Sequence, residues 1–264
     1  MRDTIAGMNH ASIPLHLTVL TGASRGMGLA LARQLLDAGH ELVTLSRSTS
    51  EDLARAAVAA GTPLQQWSVD LGAPEAVARR LGDWLAGLDA GHYASLTLIN
   101  NAGVIPQIAP LSRLQPADIA RAMRVGLEAP MLLTAAFLAA TEGWVVPRKV
   151  LNISSGLGRR AIASQASYCA AKAGMDHFSR SVALDEALKP HGARICSLAP
   201  GVIDTGMQLQ LRSADASAFP DADNFAQLKD GGQLTSPEEA AARVLAWLER
   251  PDFGEQVVAD VRQP

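Results

Sequence analysis

Along the chain, short apolar runs alternate with longer stretches in which apolar residues recur every three or four positions. The runs are LTVLTG (17–22), ELVTLS (41–46), PLQQWSVD (63–70), SLTLIN (95–100), KVLNIS (149–154), ARICSLAP (193–200) and EQVVADV (255–261). Each is of strand length, and the amphipathic or Ala-rich segments between them are of helical length. Repeated strand and helix alternation predicts a parallel sheet covered by helices on both faces. One helix start is especially legible: Ser236 is placed as an N-cap, Pro237 as the first helical residue and Glu239 as the capping-box partner. No linker, charge block or internal repeat divides the pattern, so a single domain over 1–264 is expected, with 1–15 as an N-terminal extension. The segment Thr205 to Thr235 breaks the rhythm. It mixes Met207, Leu209, Leu211, Phe219 and Phe225 with Asp, Ser, Pro and Gly, and reads as a substrate loop with one or two short helices, a lid near the strand ends, or else as a segment packed on the domain's own core.

Composition narrows the class. Nearly half of the 264 residues are hydrophobic but only 4% are aromatic, which suits helices laid on a parallel sheet. A net charge of −3 leaves no electrostatic footprint for nucleic acid. Two cysteines, Cys169 and Cys196, are too few for a disulfide framework or a structural zinc site, and no metal is expected. The first sixteen residues lack the apolar core of a signal peptide, and no later window shows the consecutive apolar residues of a membrane span. A cytoplasmic protein with no membrane partner is the expectation.

Four stretches carry chemistry. After the first strand, Gly22, Ser24, Arg25, Gly26, Met27 and Gly28 stand in TGASRGMG and lead into a helix. Glycines there let the backbone turn tightly and approach a pyrophosphate at the helix N-terminus. The second strand ends in Ser46-Arg47 where an NAD-binding chain offers an acid to the ribose. Arg47 with Arg25 can make charge-assisted bonds to a 2′-phosphate, so NADP(H) is the expected cofactor; the alternative is a pair of surface arginines. Tyr168 and Lys172, in SYCAAK, lie four residues apart and share one face of a helix. An ammonium beside a phenol favours phenolate and lowers a pKa otherwise near 10, although the same spacing occurs by chance on ordinary helices. Finally, NNAG (100–103), NISS (152–155) and PGVIDT (200–205) end successive strands, where a doubly wound sheet places its ligand crevice.

In this order the motifs resemble the short-chain dehydrogenase/reductase family over nearly the whole chain. The resemblance implies an α/β fold, a single Rossmann-type doubly wound domain with a seven-stranded parallel sheet flanked by helices on both faces. It implies Tyr168 as general acid in carbonyl reduction, Ser155 as hydrogen-bond donor to the substrate carbonyl, and Lys172 as the group that lowers the phenol's pKa and holds the nicotinamide ribose. Asp70 and Leu71 would lie by the adenine, Asn101, Ala102 and Gly103 along the adenosine ribose and its phosphates, and Pro200, Gly201, Val202 and Thr205 by the nicotinamide. Ser154 is read as structural, since alternation along a strand turns it to the other face. Cys169, Ala170 and Ala171 are expected to stay small because their helix packs closely. The family often carries an Asn where this chain has Gly126; the expectation is that glycine leaves room there for a water linked to Lys172.

The C-terminal third is most similar to benzil reductases and sepiapterin reductases. That likeness implies a small aromatic or vicinal dicarbonyl substrate, with Leu157, Gly201, Met207 and Asp260 toward it. Asp260 either anchors the substrate or is a solvated acid closing the last strand. Rival readings are a 3-oxoacyl thioester reductase and a non-catalytic NADP(H)-binding regulator. Family members commonly form homodimers or homotetramers through helices covering 116–140 and 165–188, and the Ala-rich faces here allow it.

Overall fold

The computed structural model describes residues 15–215 and 217–263. The expected N-terminal extension lies outside the described residues except for Leu15, which opens the first strand. Strands β1 (Leu15–Thr21), β2 (Glu41–Ser46), β3 (Leu64–Ser68), β4 (Tyr93–Asn100), β5 (Arg148–Ile153), β6 (Arg194–Ala199) and β7 (Val258–Asp260) form one sheet in the order β3-β2-β1-β4-β5-β6-β7. All six pairings are parallel. Every apolar run of the sequence overlaps its strand, although β1, β4 and β5 begin one or two residues earlier than their runs. From β1 the chain winds outward through β2 to β3, then crosses back to place β4 on the other side of β1. At that reversal the crossovers diverge and leave a crevice beyond the carboxyl ends of β1 and β4.

Alternation along each strand sorts the core into two layers. Leu20 of β1, Ile99, Leu151 and Leu198 face α1 (Gly26–Asp37) and α9 (Pro237–Leu248). Leu17 and Val19 of β1, with Leu98, Val150 and Ile195, face α3 (Pro74–Ala86) and α5 (Ala129–Ala140). The remaining long helices are α2 (Glu51–Ala60), α4 (Pro116–Met123) and α6 (Ala166–Ala187). Ser236 caps α9 as expected, its hydroxyl accepting from the Glu239 N–H at 3.1 Å.

Helices α4 and α5 are one continuous rod, joined through a π-helical turn over Arg124–Glu128. The rod, Pro116–Ala140, is long and apolar enough by length and composition to cross a membrane, which the single-window reading of the sequence did not foresee. Its apolar side chains have a place in the fold: Leu133 and Phe137 are fully buried against the sheet layer. The Thr205 to Thr235 segment is built as α7 (Gly206–Arg212) and α8 (Ala222–Asp230). Its ends are pinned together by the Asp204 N–H to Thr235 carbonyl bond at 2.9 Å and the Thr235 N–H to Val202 carbonyl bond at 3.0 Å. Asp204 also pairs with Arg212 of α7 and Lys229 of α8. The segment has a small core of its own, in which Leu211, Phe219 and Ala222 pack with Ile105, Ile162 and Phe225.

Candidate active site

One cavity of about 1000 Å³ runs along the carboxyl ends of the strands, and both the Gly-rich turn and the Tyr168 region line it. At one end the turn after β1 is shaped by Gly22 (φ 75) and Gly26 (φ 55), left-handed conformations that side chains rarely adopt. Gly28 is required for closeness, since a Cβ there would overlap the Gly22 carbonyl oxygen. Two outside tethers fix the turn: the Ala23 N–H donates to Ser46 Oγ at 2.8 Å, and Asn101 Nδ2 donates to the Thr21 and Gly22 carbonyls at 3.0 and 3.2 Å. Ser46 and Asn101 thus hold the cradle as well as lining it. Helix α1 starts directly after Arg25 with no side chain capping its first turn, so its leading N–H groups face the cavity end where an anion is favoured. Arg25 and Arg47 both reach the same cavity, as do Met27 and Leu71. Asp70 lines it too, with Oδ1 accepting from the Gly72 N–H at 2.9 Å. These features fit a nicotinamide dinucleotide.

At the other end stand Ser155, Tyr168 and Lys172. Ser155 follows β5 and its Oγ accepts from the Leu157 N–H at 3.2 Å, which orients the hydroxyl beside the phenol. Tyr168 and Lys172 lie on one face of α6, with Lys172 Nζ 5.8 Å from the centre of the Tyr168 ring. Lys172 is only 4% exposed, and its ammonium donates to the Ile153 carbonyl at 2.6 Å. Burial pushes the Lys172 pKa down to about 8, opposed by Asp176 one turn further on. The phenol moves the opposite way to the sequence expectation: burial raises the Tyr168 pKa, against a downward pull from the Ser155 hydroxyl. Burial disfavours both charged forms, so the two acidities move apart and the Lys172 ammonium becomes a stronger acid than the Tyr168 phenol.

Behind the trio lies a buried carboxylate. Asp176 accepts from Ser154 Oγ at 2.6 Å and Ser197 Oγ at 2.7 Å on Oδ1, and from Arg159 Nε at 3.1 Å on Oδ2. Ser154 is thereby structural, as alternation along β5 required. The network bolts α6 to β5 and β6 one turn from Lys172.

Three expectations change. Gly126 leaves little room in the direction of a side chain: a Cβ there would sit 3.0 Å from Ala171 Cβ, and Gly174 of α6 is similarly close to Leu127. Glycine here serves the crossing of the π-helical turn with α6, and Ala171 stays small for that reason, whereas Ala170 is exposed. Asp260 does not face the cavity; both its oxygens accept from Arg262, at 2.8 and 2.6 Å, and Arg262 is the residue that reaches the cavity wall. Phe219 is buried in the core of the substrate segment and Leu209 is exposed, so Met207, Leu211, Phe225 and Leu228 are the apolar groups of that segment that line the cavity. Leu157, Gly201, Val202, Pro200, Ala102, Gly103 and Thr205 line the cavity as expected. Sequence reading missed Gln165, Gln208 and Arg262; only Arg262 carried a signal, the Asp-x-Arg spacing that puts both side chains on one side of an extended segment.

A family model for short chain dehydrogenase matches residues 16–216. The chain belongs to the short-chain dehydrogenase/reductase family. Benzil reductase ((S)-benzoin forming) of Bacillus cereus is 32% identical over 239 residues, covering 90% of this chain and 96% of its own. Sepiapterin reductase of Xenopus tropicalis is 31% identical over 247 residues, covering 88% and 91%. The crystal structure of a short-chain dehydrogenase/reductase from Burkholderia vietnamiensis matches with a TM-score of 0.61 at 34% identity, covering 95% of this chain and 98% of that one. Short-chain dehydrogenase/reductase membership makes the protein an oxidoreductase of the alcohol and carbonyl couple. Among the described residues no group of three or more His, Cys, Asp or Glu is placed to hold a metal ion.

Proposed function

We propose that the protein is a cytoplasmic, NADPH-dependent carbonyl reductase acting on one carbonyl of a small aromatic or vicinal dicarbonyl compound. The observation that carries this reading is the convergence of Ser155, Tyr168 and Lys172 on the same cavity as an arginine-flanked, glycine-shaped cradle. NADPH, when bound, supplies the hydride that no side chain can. The rest is the work of the chain. Ser155 donates a hydrogen bond to the carbonyl oxygen and so stabilises the alkoxide as negative charge develops on it. Tyr168 donates its phenolic proton to that oxygen, completing the alcohol. A phenol with a raised pKa remains protonated at neutral pH, the state a donor needs. Lys172, still mostly ammonium at pH 7 and buried beside the phenol, compensates the phenolate that proton donation leaves behind.

The NADP(H) preference rests on Arg25 and Arg47, and the substrate class on the apolar walls from Met207 and Phe225 together with the relatives' names. The test is Tyr168→Phe assayed by NADPH oxidation with an aromatic diketone. Turnover is expected to fall by about 100-fold or more while NADPH affinity stays within about threefold, the scale of general acid catalysis. A Phe variant that retains more than about a tenth of parental turnover removes Tyr168 from the acid's role.

A further inference from the structure

Gln165 opens α6 three residues before Tyr168, at the position where a side chain normally bonds the first free N–H groups of the helix. It makes no such bond. Its side chain lines the cavity, the residue is 1% exposed, and neither Nε2 nor Oε1 has a hydrogen-bond partner among the described residues. A buried amide without partners destabilises the fold, and a leucine would fill the same space without that cost. The backbone is also strained to hold the residue there. Ser164 has φ 60, the only left-handed conformation of a non-glycine residue among the described residues, and its hydroxyl donates to the Ala218 carbonyl between α7 and α8. Across the cavity, Gln208 of α7 is 3% exposed; its Nε2 donates to the Phe225 carbonyl at 3.3 Å and its Oε1 has no partner among the described residues.

Unsatisfied polar groups held in place by local strain are the mark of a site that completes itself with a ligand. We propose that Gln165 is the specificity-determining residue of this reductase: its Nε2 donates a hydrogen bond to a second carbonyl oxygen on the carbon next to the one being reduced. Gln165 precedes Tyr168 by three residues at the start of α6 and both line the cavity, so the acceptor it would read is one beside the reacting carbonyl, not a distant one. The substrate class is then a 1,2-dicarbonyl compound, and the product a 2-hydroxy ketone whose remaining carbonyl stays on Gln165 while the new hydroxyl sits at Tyr168 and Ser155. The inference rests on the carbonyl-reductase reading above and adds to it the residue that reads the second oxygen.

The experiment compares benzil with deoxybenzoin, which has the same two rings but a methylene in place of one carbonyl, in the parent and in Gln165→Leu with saturating NADPH. Diketones are intrinsically more reactive, but that difference cancels when each variant's ratio of kcat/KM for the two ketones is taken. The ratio is expected to fall at least about tenfold in Gln165→Leu, because a hydrogen-bonding pocket loses its discrimination when its donor is removed. Gln165→Asn, which keeps the amide but shortens its reach, is expected to lower the ratio in the same direction. The melting temperature of ligand-free Gln165→Leu should equal or exceed that of the parent, since an unsatisfied buried amide has been removed; a structural role for Gln165 would lower it. An unchanged ratio in both variants, with the parent reducing benzil, overturns the assignment of Gln165 alone. A parent that reduces neither ketone overturns the carbonyl-reductase reading and the inference with it.

Discussion

Replacing Lys172 with methionine in the ligand-free protein should change stability in a way that depends on pH with a definite sign. The lysine is 4% exposed and its pKa is about 8 in the folded chain against an ordinary 10.5. Between those values the unfolded chain holds more protons than the folded one, so folding stability rises with pH; below about 8 the full penalty for burying the ammonium applies. The gap corresponds to about 3 kcal/mol at acidic pH, most of which is relieved between pH 7 and pH 10. The Ile153 carbonyl and Asp176 already offset part of the burial cost, and their contribution is contained in the depressed value. The assay is equilibrium urea unfolding of parent and Lys172→Met at pH 7 and at pH 10 without cofactor. Taking the difference between the two proteins removes the titrations of Cys196 and His40, which also shift on folding. Parent minus variant should become more favourable by about 2–3 kcal/mol on going to the higher pH. A difference that is flat within about 0.5 kcal/mol would show that the ammonium is not desolvated in the folded chain, and the account of the Tyr168 and Lys172 pair would fall with it.

Two further outcomes follow from the cradle and from the helix crossing. NADPH should bind more tightly than NADH, and Ser46→Asp combined with Arg47→Ala should reverse that order in a fluorescence titration; equal dissociation constants in the parent would remove Arg25 and Arg47 from a 2′-phosphate site. Gly126→Asn should destabilise the fold by about 1–3 kcal/mol, because its Cβ would meet Ala171 at 3.0 Å, and a double-mutant cycle with Ala171→Gly should show coupling of the same size; a neutral Gly126→Asn in thermal unfolding would refute the close crossing.

What the sequence made legible and what it hid divide along a physical line. The seven strands, the capped start of α9, the glycine turn and the pairing of Tyr168 with Lys172 are all local: each depends on periodicity of two or of 3.6, or on a residue type that the backbone itself demands. The misreadings concern residues whose meaning is set by a neighbour distant in the chain. Gly126 looks in sequence like a missing polar group, yet in the fold it is half of a contact whose other half, Ala171, lies on α6. Asp260 looks like an anchor until Arg262 closes on it, and the Tyr168 phenol looks acidic until burial, which no spacing encodes, is seen to act on it and on Lys172 alike. Gln165 carried no signal at all. An amide beside a catalytic motif is unremarkable until its burial and its lack of partners are known, and these depend on α7, α8 and the turn at Ser164 closing over it. The chemistry common to the family thus lies in short-range pattern, whereas selectivity lies where segments far apart in the chain meet around one cavity. For that reason the reaction type follows from the motifs, and the choice of substrate has to be sought in the wall that Gln165, Gln208 and Phe225 build together.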